Sequence, residues 1–133
     1  MRRAVAYHRR PDPQAARAQI DALVRARPND PFYHELRGQI LLESRNFAGA
    51  VGAYERAVAL ASSHPLILAG YGRALLAASG ERANPKALQV LERARDRDDR
   101  NPRLLRDLAV AYARAGNTGM ASVVTAERYA LIG

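Results

Sequence analysis

The sequence contains no cysteine, no tryptophan, two phenylalanines and a single lysine, Lys86. Without cysteine there are no disulfides, no thiolate zinc sites and no thiol nucleophile. Compartment stays open, because cysteine-free proteins occur on both sides of a membrane. Aromatic residues make up 6% of the chain, and β-branched and aromatic runs are too sparse for several strands, which argues against a β sandwich. No apolar run approaches the ~20 residues a membrane span requires. The opening, MRRAVAYHRRPDP, starts basic but lacks the apolar stretch of a secretory signal. A protein made from this chain alone would stay cytoplasmic; a fragment of a longer precursor need not.

Alanine and arginine fill the space these absences leave. The 133 residues suffice for one domain with a real core, 48% are hydrophobic, and 27 are alanine. That profile favours helices packed at short range. The formal net charge is +8, and 20 of the 21 basic residues are arginine. A GC-rich coding sequence would also produce an Arg- and Ala-rich chain. The functional reading is an anionic partner: acidic peptide, lipid headgroup or nucleic acid. The arginines are spread along the chain rather than clustered, which argues against nucleic acid.

Helical periodicity is clearest from Asp30 to Pro65. Phe47, Ala50, Val51, Tyr54, Ala57, Val58 and Ala61 share one face, and Tyr33, Leu36, Ile40 and Leu41 another. Asp30 and Pro31 suit a helix start. Asn46 sits at the reversal and tolerates a left-handed backbone. Two such helices cannot bury both faces alone. A repeat supplies neighbours: steps of 34, 34 and 37 residues connect Ala4, Gly38, Gly72 and Ala109. The same phase aligns Tyr7, Leu41, Leu75 and Tyr112, then Ala16, Ala50, Ala87 and Ala121. It also aligns Ile20, Tyr54, Leu91 and Thr125. A small residue at the helix crossing lets two axes approach to about 8 Å. Asp12-Pro13, Asp30-Pro31, Asn84-Pro85 and Asn101-Pro102 pair a capping residue with a first-turn proline, Ser63-His64-Pro65 is a weaker version, and Gly80 and Gly116 mark helix ends.

About eight helices are expected: Arg2 to Arg9, Pro13 to Arg27, Pro31 to Ser44, Phe47 to Ala61, Pro65 to Ser79, Pro85 to Arg97, Pro102 to Ala115 and Thr118 to Leu131. They form a single domain over residues 1–133. It divides into an incomplete leading repeat (1–30), a repeat (31–64), a repeat with a turn insertion near Glu81-Arg82-Ala83 (65–101), and a terminal repeat with cap (102–133). Thr125 and Arg128 stand where earlier units have apolar residues, as a capping helix would. Tyr129, Leu131 and Ile132 stay apolar, to fold back on the last pair or to meet another domain.

The unit, with its Gly/Ala, Tyr/Leu, Ala, Tyr and Ala positions, resembles the tetratricopeptide repeat. That resemblance implies an all-α, right-handed superhelix, an αα solenoid whose first helices line a concave groove. His34 replaces a common Trp and Arg37 a common Leu. More narrowly, NDPFYHELRGQ and the GMA that begins the last helix resemble the C-terminal repeat region of bacterial periplasmic zinc metallopeptidases, which act in outer-membrane β-barrel protein assembly and quality control. Because Met1 falls inside an expected first helix, the native chain is expected to continue upstream, and its open end near Ala4, Val5 and Tyr7 could pair with a second copy.

Chemistry-bearing constellations are sparse. His34-Glu35-Leu36-Arg37-Gly38 lacks the second histidine of H-E-x-x-H, because Gly38 takes its place. No metal, cofactor or catalytic residue is therefore assigned, and His8, His34 and His64 read as surface residues. On the repeat geometry the groove carries Val5, His8, Arg9, Phe32, Glu35, Gln39, Leu42, Glu43, Arg73, Leu76, Arg103, Arg106, Val110 and Arg114. Arg73, Arg103 and Arg106 could bind carboxylates bidentately, or simply be solvated. The asparagines of the family's carboxylate clamps are missing. The expected function is a non-catalytic module binding a protein or peptide, acidic or the parent's own catalytic domain, and periplasmic as part of the metallopeptidase. The alternative is a free-standing cytoplasmic adaptor for acidic peptides.

Overall fold

The computed structural model describes residues 12–133. Helix starts follow from local chemistry. Asp12, Asp30, Asn46, Asn84, Asn101 and Asn117 each accept a hydrogen bond from a backbone N–H in the turn they open. His64 does the same through Nδ1, which accepts from the Leu66 N–H at 3.2 Å. Proline at the first turn costs nothing there, since that N–H has no helical partner.

Seven helices result among the described residues: α1 (Pro13–Ala26), α2 (Pro31–Glu43), α3 (Phe47–Leu60), α4 (Pro65–Ala78), α5 (Pro85–Arg97), α6 (Pro102–Arg114) and α7 (Thr118–Ile132). Each lies within two residues of its expected bounds, and no strand occurs among the described residues. The expected helix from Arg2 to Arg9, with Val5, His8 and Arg9, lies outside them. Glu81, Arg82 and Ala83 fall in the loop between α4 and α5.

Two local expectations are corrected. The left-handed residue between α2 and α3 is Arg45, with φ of 62°, whereas Asn46 has φ of −89°. Asn46 is the cap of α3, its side chain held by the Gly49 N–H at 3.0 Å, so its conformation is committed to the next helix. Gly80 and Gly116 take the left-handed place after α4 and α6, where glycine avoids the Cβ clash. His34 is buried, not on the surface. Its Nε2–H donates to the Pro28 carbonyl at 2.7 Å, tying α2 to the loop before it.

Helices pack in the pairs α2/α3, α4/α5 and α6/α7, and each pair leans on the next through α3/α4 and α5/α6. First helices also approach closely, α2 to α4 and α4 to α6, whereas the backbones of the second helices α3, α5 and α7 stand further apart, α5 and α7 being linked by the Arg95–Glu127 side-chain ion pair. The described stack therefore bends toward its first helices and makes them the concave side. One continuous core runs from Leu41 through Tyr54, Leu68, Leu75, Leu91, Leu105 and Tyr112 to Val124.

The close approaches sit at the repeat's small positions. A Cβ at Gly38 would lie 2.6 Å from the Tyr54 ring, and one at Gly70, on the next unit, 2.7 Å from the same ring's Cζ. Tyr54, 2% exposed, is thus clasped between two glycine faces. Gly72 receives Leu91 in the same way. Of the C-terminal apolar residues, Leu131 packs on the core, while Tyr129 and Ile132 are exposed.

Because the ring cannot retreat from one glycine without striking the other, Gly38→Ala and Gly70→Ala should each destabilise the fold. Overpacking of about 1–3 kcal/mol exceeds the helix-propensity gain of up to ~1 kcal/mol. Gly52, exposed in α3 with nothing within 4 Å of its would-be Cβ, should do the reverse: Gly52→Ala should stabilise by roughly 0.5–1 kcal/mol. Urea unfolding midpoints of the three variants check both signs.

Candidate functional site

A cleft of about 130 Å³ opens on the concave side where α2, α4 and α6 lie next to one another. It brings together six of the residues expected to line a groove: Glu35, Gln39, Leu42 and Glu43 from α2, Arg73 from α4 and Arg103 from α6. Tyr54, Leu66, Ala69, Gly70, Asn101, Leu104 and Asp107 complete the lining. These residues share a wall because positions four apart stack on one helical face, as Glu35, Gln39 and Glu43 do on α2 and Arg103 and Asp107 on α6.

Five expected groove residues lie elsewhere. Phe32 is exposed beside the cleft, edge-on to the His64 ring at 5.0 Å. Leu76 is buried in the core, and its carbonyl accepts from Arg114 at 3.1 Å. Arg114 is thereby committed to holding α6 against α4. Arg106 and Val110 sit on the end face between α6 and α7, with Ala113, Ala121 and Thr125. On α6 the projection holds for Arg103 and fails for Arg106 and Val110, which line the α6/α7 face, and for Arg114, which turns to the Leu76 carbonyl.

Inside the cleft, Glu35 is 6% exposed. Its Oε2 accepts from the Gln39 amide and from the Tyr54 hydroxyl, the latter at 3.4 Å. Burial, and next the charge of Glu35, hold the Tyr54 hydroxyl well above its ordinary range, so it stays a donor. Arg73 Nε lies 3.1 Å from Asp107 Oδ2, and both side chains are largely buried. Burial pushes Asp107 up from 3.8 to about 6, while Arg106 and Arg103 pull it down. Among the described residues, neither Glu35, Glu43 nor Arg103 has an opposite charge within 4.0 Å.

Tyr54 and Asp107 were missed by sequence reasoning as site residues. Tyr54 read as core, which it is, but its hydroxyl emerges at the cleft floor. Asp107 carried no phase signal: the step between these two units is 37 residues, so Val110 stands in phase with Arg73 and Asp107 lies three residues earlier.

A groove lined by successive first helices is the mark of open helical-repeat scaffolds. A tetratricopeptide repeat family model matches residues 1–31 and 35–82, more than half of the chain. The chain belongs to the tetratricopeptide repeat family. MamA from Desulfovibrio magneticus RS-1, in its 41-end form, superposes with a TM-score of 0.78 at 21% identity, covering 90% of this chain and 66% of that one. A second MamA crystal structure gives 0.80 at 16% identity, with 90% and 68% covered. TTC0263, a thermophilic repeat protein in Thermus thermophilus, gives 0.76 at 19%, with 97% and 69% covered. The chain thus spans about two thirds of the length of these structures, and at such identities the likeness is one of fold. No curated protein matches the sequence.

Asp107 should titrate near pH 6 by carboxyl-carbon NMR, and Arg106→Gln should raise that midpoint further by removing the cation that pulls it down most. The sign for stability follows. The folded value exceeds the ordinary 3.8, so this group's stabilising contribution is fully present below that pH and is lost as pH rises through about 6.

Proposed function

We propose that this chain is a non-catalytic interaction module that holds an extended segment of a partner protein in the cleft between α2, α4 and α6. The carrying observation is that three successive first helices supply one concave wall whose Glu35, Glu43 and Arg103 charges have no counter-charge within 4.0 Å among the described residues. Exposed Leu66 and half-buried Leu42 add apolar surface beside them. The His34-Glu35 pair supports a binding rather than a catalytic role: His34 is engaged with the Pro28 carbonyl, and Glu35 with Tyr54 and Gln39. The right-handed winding implied by the family belongs to the same reading.

The NDPFYHELRGQ and GMA segments support a finer placement. In it the chain is the C-terminal repeat region of a periplasmic zinc metallopeptidase serving outer-membrane protein assembly or quality control, and the parent's catalytic domain is one candidate occupant. The competing adaptor for acidic peptides draws its support from Arg103 alone, since Arg73 is already held by Asp107.

Selecting a random peptide display library against the immobilised chain tests the groove. Recovered peptides should lose binding to Leu66→Arg, which blocks the cleft, and keep it on Ser122→Arg, which lies on the end face. The opposite pattern would place the interaction surface at that end. For the finer placement, the gene upstream of Met1 should encode an H-E-x-x-H helix behind a signal peptide.

A further inference from the structure

The whole chain is strongly basic at +8, yet the cleft holds three carboxylates against two guanidiniums. Arg73 and Asp107 neutralise each other. What remains is Glu35 and Glu43 on the α2 wall and Arg103 on the α6 wall, with α4 between them. We propose that the cleft receives a cationic side chain, arginine or lysine, from the partner segment, with the Glu35 carboxylate as its counter-charge. This rests on the groove reading above and gives that groove its chemistry.

Glu35 carries the inference. A carboxylate removed from water is costly unless a counter-charge or enough hydrogen bonds compensate it. Glu35 is only 6% exposed, and both of its hydrogen bonds fall on Oε2. Oε1 has no protein partner among the described residues and still reaches solvent, and the residue lines the open cleft. An ammonium or guanidinium entering there would bond to Oε1 in a partly dehydrated setting, where charge-assisted bonds are strongest. The cleft's size suits this: 130 Å³ corresponds to about four waters at ~30 Å³ each, or one extended side chain. Leu42 and Leu66 line the approach and would cover the aliphatic stem of a basic residue, as apolar surface commonly does. Glu43, one turn beyond Gln39, adds a second negative charge at the rim.

NMR titration of the isotope-labelled chain with Nα-acetyl-arginine amide and with Nα-acetyl-glutamate amide tests this. The arginine probe should produce saturable shifts at Glu35, Gln39, Tyr54 and Gly70. Glu35→Gln should weaken its binding by about tenfold or more, equivalent to about 1.4 kcal/mol. Gln39→Lys, changed at an exposed position, should do likewise by setting an internal ammonium beside Glu35, which guards against a folding effect of the buried substitution. Groove shifts from the glutamate probe alone, unaffected by either variant, would overturn the cationic assignment while leaving the groove reading intact. Silence from the arginine probe would also overturn it, and the peptide selection would then decide separately whether the groove itself is a binding site.

Discussion

The Tyr54 ring, held between Gly38 of its own unit and Gly70 of the next, is the contact on which the rest depends. Each glycine removes a Cβ that would otherwise meet the ring, so α2, α3 and α4 converge on one side chain. The same ring carries its hydroxyl to Glu35 at the cleft floor. Packing between consecutive units and the electrostatics of the concave face are therefore set by one residue. Gly72 and Leu91 repeat the small-against-large contact one unit later. In the last unit the pair is Ala109 and Thr125, and Thr125 turns its hydroxyl to the Ala121 carbonyl instead.

Arginine has an internal use that composition does not disclose. Arg37 reaches Asp21 on the preceding helix at 2.9 Å, Arg73 reaches Asp107, and Arg95 reaches Glu127. Arg93 donates to the Ser62 carbonyl and Arg114 to that of Leu76. Four of these links join two helices, and the Arg93 bond joins α5 to the turn between α3 and α4. The part-exposed pairs Arg37–Asp21 and Arg95–Glu127 contribute only about 0–1 kcal/mol each, so their effect is on the register of one unit against another more than on total stability. Arg37, where the family commonly has leucine, exchanges an apolar contact for such a link.

Much of the fold was legible in the amino-acid order. Gly38, Gly72 and Ala109 marked the crossings, and Asp-Pro and Asn-Pro pairs marked helix starts, because both signals act over a few residues. Arg45 was not legible: a left-handed arginine has no propensity signature, and the adjacent Asn46 offered the more obvious choice. His34 misled in a similar way. Its neighbours on α2 gave no hint that a loop carbonyl at Pro28 would claim its ring nitrogen.

For the site, Glu35, Gln39, Leu42, Glu43, Arg73 and Arg103 followed from helical phase, whereas the places of Phe32, Leu76, Arg106, Val110 and Arg114 depended on how the helices pack. The chain alone determined that helix pairs recur and that small residues mark where they cross, since periodicity and capping are local. Tertiary structure decided which charges remain available. Arg73 is cancelled by a carboxylate 34 residues away, and Glu35 is buried by a tyrosine from another helix. Contacts at that separation are made by stacking, and no local pattern records their sign.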